Sequence, residues 1–361
     1  MQPPSGDVNF KVMYHPRPCG CKGQRTCLVC EEDHEAVKTY NSWVNEEQRE
    51  CSYVYCPMCD LAWPGWETDS WKVHPHHQGE PIRFPGTKIV LDFISEEEER
   101  ELLTHIDEVP WDPSQSGRRK QNYGPKCNFK KRRVRTETFS GYPSFTKFIQ
   151  DRFNKVNVLK GFQTVEQCSL DYSLEKGASI DPHIDDCWIW GERIPTLSLL
   201  IGSTLTMRKF EGPRTKYNLI DTEGYPAVMR EDGIVKEEKE IEMEFRESYQ
   251  KRNESKKPKE NLLKDIEGEK NATPSYSRDG KPYVLRLPMP QRSLLVLYGP
   301  ARYNWEHGIL REDIPSRRVC ITYRELTPTY LEYGSKAEVG AEILKASKSF
   351  WDHRQHYGLD I

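Results

Sequence analysis

The segment Arg317–Glu325 (RRVCITYRE) constrains this chain more than any other. Its period is two, with Arg318, Cys320, Thr322 and Arg324 on one side and Val319, Ile321 and Tyr323 on the other. Successive side chains of a strand point to opposite faces, so the segment is expected to be a half-buried strand. Arginine usually looks into solvent. Turned inward, the two guanidinium groups need anionic partners, because an unpaired buried charge is too costly. A dicarboxylate ligand supplies such anions, and the guanidinium fork matches a carboxylate in two parallel hydrogen bonds.

Other strand signals are short and frequent: Thr164–Tyr172, Thr196–Met207, Tyr283–Leu287 and Ser293–Tyr298. Helix signals stand apart from them. Ser95 and Glu98 make a capping box ahead of Leu102, Leu103 and Ile106. Ser144 precedes Phe145, Phe148, Ile149 and Phe153, and Val339, Ile343, Ala346 and Phe350 form a stripe near the C-terminus. Helices first and strands later predict an α+β, mainly β fold: a sheet-based barrel or jelly roll buttressed by helices.

Composition divides the chain. Residues 1–62 form a Cys-rich N-terminal segment, 63–334 the main domain, and 335–361 a C-terminal helix and tail. A charged insertion is expected at about 208–281. Its densest part, Arg230–Lys270, has 24 of 41 residues charged and reads as a loop, with a polar-faced helix as the alternative. The formal net charge is −3, so any affinity for nucleic acid must come from a local patch. Met1–Lys11 lacks the basic and apolar runs of a signal peptide, and no apolar run approaches the roughly 18 residues that span a bilayer. The 11 cysteines, an odd number, suit reduced thiols or metal ligands better than a disulfide framework. The chain therefore reads as intracellular and soluble, with cytoplasm and nucleus as the expected compartments.

His183-Ile184-Asp185 carries the chemistry. On an extended strand the imidazole and the carboxylate point to one side and can reach one ion together. A second histidine on a distant strand completes two His and one carboxylate, the set that binds non-haem Fe(II) and leaves three positions open. His307, between two apolar segments, is the candidate. Alone, H-x-D arises often by chance, and the competing reading is a surface histidine beside an acid pair. Asp186 is a candidate to orient a ligand histidine, or else a plain solvated carboxylate.

H-I-D, a later His, and R-x-x-x-x-x-R on a strand together resemble the AlkB family of Fe(II)- and 2-oxoglutarate-dependent dioxygenases. Cys19–Glu31 (CGCKGQRTCLVCE), Ser114–Lys126 (SQSGRRKQNYGPK), Val165–Tyr172 (VEQCSLDY) and Asp181–Glu192 (DPHIDDCWIWGE) are most similar to its fourth animal subfamily. The resemblance implies a double-stranded β-helix core and oxidative N-demethylation. It also implies that Arg318 grips the distal carboxylate of 2-oxoglutarate, that Arg324 lies near its iron-chelating end, and that Tyr172 contacts it. Leu170 and Cys320 depart from the pattern, since prototype members carry polar amides there.

From Pro113 to Thr136 the chain has nine basic residues and no acid, with Tyr123 and Phe129 interleaved. Basic side chains with aromatics track phosphates and stack on bases. The resemblance makes this region a substrate lid, with Arg118, Arg119, Lys120 and Tyr123 as its marked residues. A solvated loop or a dock for an acidic protein fits equally. The subfamily implies two substrates, methyl-lysine in an actin-like protein and N6-methyladenine in DNA.

Cys19, Cys21, Cys27 and Cys30 are a candidate Zn(II) site, since four thiolates satisfy a tetrahedral ion. Cys56 and Cys59 form a second C-x-x-C, and His74, His76 and His77 read as a surface loop beside Pro75. Free thiols or a redox pair are the alternatives. The competing function is a catalytically weak scaffold that keeps the oxygenase fold and binds protein or nucleic acid.

Overall fold

Eight strands are divided between two facing sheets. They are β1 (Glu166–Tyr172), β2 (Ile180–His183), β3 (Ile194–Leu199), β4 (Ser203–Lys209), β5 (Val284–Met289), β6 (Leu294–Leu297), β7 (Trp305–Ile309) and β8 (Arg318–Arg324). One sheet runs β2-β7-β4-β5 and the other β6-β3-β8-β1, every neighbour antiparallel. That order is the double-stranded β-helix, here within an α+β chain. The computed structural model describes residues 17, 19–22, 25–36, 43–230, 234–254 and 282–358. Among these, no helix is long and apolar enough to cross a membrane.

Flanking strands extend each sheet to seven. Tyr53–Cys56, within the Cys-rich segment, pairs parallel to β5 and is followed by Leu61–Pro64 and Ile82–Arg83. Thr87–Val90 pairs with β6, and Arg118–Tyr123 with β1.

The sheets bury one apolar layer between them, including Leu205, Leu285, Leu295 and Trp305. A second layer lies behind β3 and β8. There Val319, Ile321 and Tyr323 pack against helix α1 (Glu96–Glu108) and helix α2 (Lys147–Arg152) through Leu102, Ile106 and Ile149. The capping box opens α1: Ser95 Oγ accepts from the Glu98 amide at 3.1 Å, and the Ser95 amide donates to Glu98 Oε2 at 2.8 Å.

Three local expectations change. The single run Thr196–Met207 is two strands in different sheets, because the chain turns at Leu200, which takes φ +69°. Glu99 of α1 holds this turn by accepting the Leu200 amide at 2.8 Å. The charged stretch expected as a loop forms helix α3 (Glu238–Glu254). Arg246–Glu242 at 2.7 Å along it, and Lys236–Glu244 at 2.6 Å from outside it, offset its charge. Buried Phe245 anchors it against Tyr333. Of the expected insertion, residues 208–209 end β4 and Lys216–Gly224 is a 3-10 segment, while 231–233 and 255–281 lie outside the described residues. The C-terminal stripe stops early: helix α4 (Ala337–Ala346) ends before Phe350, which joins Trp351 in a short strand beside Tyr142–Pro143.

Candidate active site

β2 and β7 are adjacent, and their register sets His183 opposite His307. Asp185 follows just beyond β2. One donor atom from each of the three lies within 4.8 Å of the others, with His307 Nε2 at 3.7 Å from Asp185 Oδ2. His183 Nδ1 sits 2.9 Å from the Asp181 carbonyl, which makes it the protonated nitrogen and leaves Nε2 its lone pair. Burial pushes both imidazoles down, His307 to about 3. Burial pushes the Asp185 carboxyl up, but Arg324 and the two histidines outweigh it and hold it well below the usual carboxylate range. The cluster thus presents two neutral imidazoles and a carboxylate, the protonation states that a cation requires.

Arg324 orients the carboxylate. Its Nε and Nη2 donate to Asp185 Oδ1 at 2.9 and 2.7 Å, and its Nη1 donates to Glu166. Asp185 Oδ2 is buried with no hydrogen-bond partner. Arg302, itself buried, supports the loop that carries Asp185. It donates to the carbonyls of Trp190 and Gly191 at 3.3 Å each and contacts Cys187 Sγ at 3.6 Å. Asp186 turns away and accepts from Asn218 at 2.5 Å, so it orients neither imidazole.

The three residues open onto a cavity of about 250 Å³ between the sheets. Cys320, Thr322, Arg318 and Arg324 of β8 line it, the face read from the alternation. Arg318 is fully buried. Its Nη2 meets Ser198 Oγ at 3.4 Å and the Met289 sulfur at 3.8 Å, Nε and Nη1 make no well-formed hydrogen bond, and Cys320 and Tyr172 lie beside the guanidinium. Its guanidinium lies 4.8 Å from the Tyr172 ring centre, and the Tyr172 hydroxyl is also buried without a partner. Among the described residues no carboxylate pairs with Arg318, so the cavity holds a buried cation that awaits an anion. Leu170 and Cys320 face the same cavity.

The basic segment is placed differently from a lid. Arg118–Tyr123 is a strand along the full length of β1. Of its four marked residues, Arg118 alone lines the cavity. Arg119 turns to the other face and pairs with Asp171, Tyr123 is buried in a core layer, and Lys120 is half-buried. The exposed basic surface comes next, on the hairpin of Lys126–Asn128 and Arg133–Arg135, with Phe129 at its turn 47% exposed. Sequence reasoning missed Arg25, which reaches the cavity from the Cys-rich segment, and Arg302. Neither position carries a periodic or motif signal.

The Cys19, Cys21, Cys27 and Cys30 sulfurs converge within 4.8 Å, Cys19 to Cys30 at 3.0 Å. Cys21 Sγ accepts the Ser116 amide at 3.2 Å, and Glu31 pairs with Arg311 at 2.6 Å. These contacts dock the segment beside the cavity. His74 and His77, expected in a surface loop, converge instead on Cys56 and Cys59.

No family model matches the chain. Human "Alpha-ketoglutarate-dependent dioxygenase alkB homolog 4" is 36% identical over 334 residues, covering 92% of this chain and 94% of that protein. The mouse protein of the same name is 37% identical over 332 residues with the same coverage. The chain belongs to the AlkB family. It is a 2-oxoglutarate-dependent dioxygenase. A Caenorhabditis elegans relative named "DNA N6-methyl adenine demethylase" is 29% identical over 341 residues, covering 91% of this chain and 93% of that one. AlkB membership implies Fe(II) and 2-oxoglutarate, and the residues present fit both. The His–Asp–His set is the donor set of non-haem iron with positions left open, and Asp185 Oδ2 is an orphaned acceptor within it. Arg318 and Tyr172 are orphaned donors suited to a carboxylate.

Proposed function

We propose that His183, Asp185 and His307 hold Fe(II), that Arg318 and Tyr172 receive a carboxylate of 2-oxoglutarate, and that the enzyme oxidatively removes N-methyl groups from a macromolecule. Bound together, iron and 2-oxoglutarate supply the oxidising chemistry that consumes O2, yields CO2 and succinate, and releases the methyl as formaldehyde.

The chain's own residues hold the geometry. The Asp181 carbonyl fixes the His183 ring, and Arg324 immobilises Asp185 Oδ1 so that Oδ2 stays free for the ion. Arg318 supplies a fixed charge in a dry wall of the cavity, so the co-substrate's carboxylate replaces an unpaired cation with an ion pair. That unpaired guanidinium, in the same cavity as the His–Asp–His set, is the observation that carries the reading.

DNA bearing N6-methyladenine is the first substrate to test. The exposed basic hairpin with Phe129 at its tip suits phosphates and an unstacked base. The relative named as a DNA N6-methyl adenine demethylase supports the same choice. Methyl-lysine in an acidic, actin-like protein is the second. Cytoplasm and nucleus are the compartments proposed, where cysteines such as these stay reduced.

The test is methyl loss from single-stranded N6-methyladenine DNA with Fe(II) and 2-oxoglutarate, and Asp185→Ala as control. Wild-type-only methyl loss and succinate support the reading. Succinate without methyl loss moves the substrate to methyl-lysine. Equal succinate from wild type and Asp185→Ala removes the proposed iron site.

A further inference from the structure

Outside the lining of the cavity, at the end of the strand Tyr53–Cys56, the chain builds a second cluster of metal-ligating side chains. Cys56 closes that strand, and Cys59 sits in the turn leading to Leu61–Pro64. The turn is tight: Asp60 takes φ +55°, and its amide donates to the Cys56 carbonyl at 3.0 Å. After the 3-10 segment Thr68–Val73 the chain returns and brings His74 and His77 against the two cysteines. One donor atom from each of the four lies within 4.8 Å of every other. Around tetrahedral zinc, sulfur and nitrogen donors stand about 3.3–3.8 Å apart. Cys56 Sγ and His74 Nδ1, at 3.9 Å, are already near that spacing.

Two further observations point to an ion at this place. His77 Nε2 is buried and has no hydrogen-bond partner. Buried ring nitrogens are ordinarily satisfied, and a cation satisfies this one. The Cys59 sulfur, for its part, is held by a donor. Trp63 Nε1 donates to Cys59 Sγ at 3.4 Å. Such a donor holds the sulfur in place, as the surroundings of a metal ligand do. Trp63 also stacks on the His77 ring at 4.7 Å and sets its plane.

We infer that Cys56, Cys59, His74 and His77 form a structural Cys2His2 zinc site, separate from the Cys19–Cys30 cluster and from the oxygenase centre. Four protein ligands close the coordination shell and leave no position for substrate, so the site holds structure rather than performing chemistry. Binding releases the two thiol protons to solvent. The ion ties the hairpin Tyr53–Pro64 to the segment after it. That hairpin extends the sheet containing β5, whose Met289 lines the active-site cavity.

The test counts zinc in the full-length protein, purified from zinc-supplemented cells, by elemental analysis. The expected result is that Cys59→Ser and His77→Asn each bind one zinc fewer per chain than wild type. The loss is independent of whether the Cys19–Cys30 cluster is filled. Cobalt reports the ligands directly. Cys27→Ser, which opens the other cluster, should still show tetrahedral ligand-field bands and a thiolate-to-cobalt band when loaded with Co(II), and adding His77→Asn should alter both. Unchanged zinc in Cys59→Ser and His77→Asn overturns the site. If the variants fold poorly, X-ray absorption at the zinc edge of the wild type decides: nitrogen and sulfur around zinc support it, and sulfur alone overturns it.

Discussion

Arg318 and Arg324 share one strand face, yet their electrostatic situations are opposite. Arg324 is spent on Asp185 and Glu166, whereas Arg318 has no anion. Arg318→Met is therefore expected to leave stability unchanged or raised, because it removes an uncompensated buried charge. The apparent KM for 2-oxoglutarate should rise about 10–100-fold, as expected for a charge-assisted bond worth about 1.5–3 kcal/mol. A thermal scan beside a 2-oxoglutarate titration checks both, and a large loss of stability with unchanged KM would sink the assignment. Glu192 makes a pH prediction. Burial pushes its carboxyl up to about 7, against the Val228 amide that Oε2 accepts at 2.6 Å and the backbone N–H of Gly299. The native state thus holds a proton that the unfolded chain gives up near the ordinary value of 4.5. Its contribution is full below the unfolded value and is lost as pH rises through about 7, a swing of up to about 3 kcal/mol. Glu192→Gln should flatten that part of the profile, read as urea midpoints across the range.

Helix α4 shows how one missing side chain sets the placement of an element. A Cβ on Gly340 would fall 1.7 Å from the Tyr330 carbonyl oxygen, so the helix docks only with glycine there. Gly340→Ala should push α4 off the layer that holds Trp188 and Ile343, at a cost of about 1–3 kcal/mol, seen as a lower denaturation midpoint. A midpoint at or above wild type would mean that α4 is loosely held. Strands and helices were legible where one periodicity dominates, as in β8 and in α1 with its capping box. They were not legible where the chain changes sheet within an apolar run. Thr196–Met207 reads as one strand, and only the Glu99 carboxylate accepting the Leu200 amide shows where it breaks. Helix α3 stood only as the alternative reading for another reason: the seat of Phe245 depends on Tyr333, a partner that local composition does not name.

At the scale of the molecule, the Cys-rich segment is not one detachable piece. The Cys19–Cys30 cluster docks through side-chain contacts, whereas Tyr53–Cys56 is a strand of the main sheet. Deletion of 1–42 is expected to leave a soluble, cooperatively unfolding protein with a weakened co-substrate site, since Arg25 is lost from the cavity. Deletion of 1–62 uncovers the edge of β5 and should aggregate. Gel filtration of the two truncations separates these outcomes.

The sequence by itself determined that Arg318 and Arg324 share one face of β8, because the faces of a period-two strand follow from covalent geometry. It also determined the opening of α1, because a capping box is local. Only the tertiary structure decided which histidine meets which carboxylate, which arginine is spent on a protein anion, and that His74 and His77 belong with two cysteines. Those outcomes depend on strand register and on loop return between segments far apart in the chain, and no local periodicity encodes them.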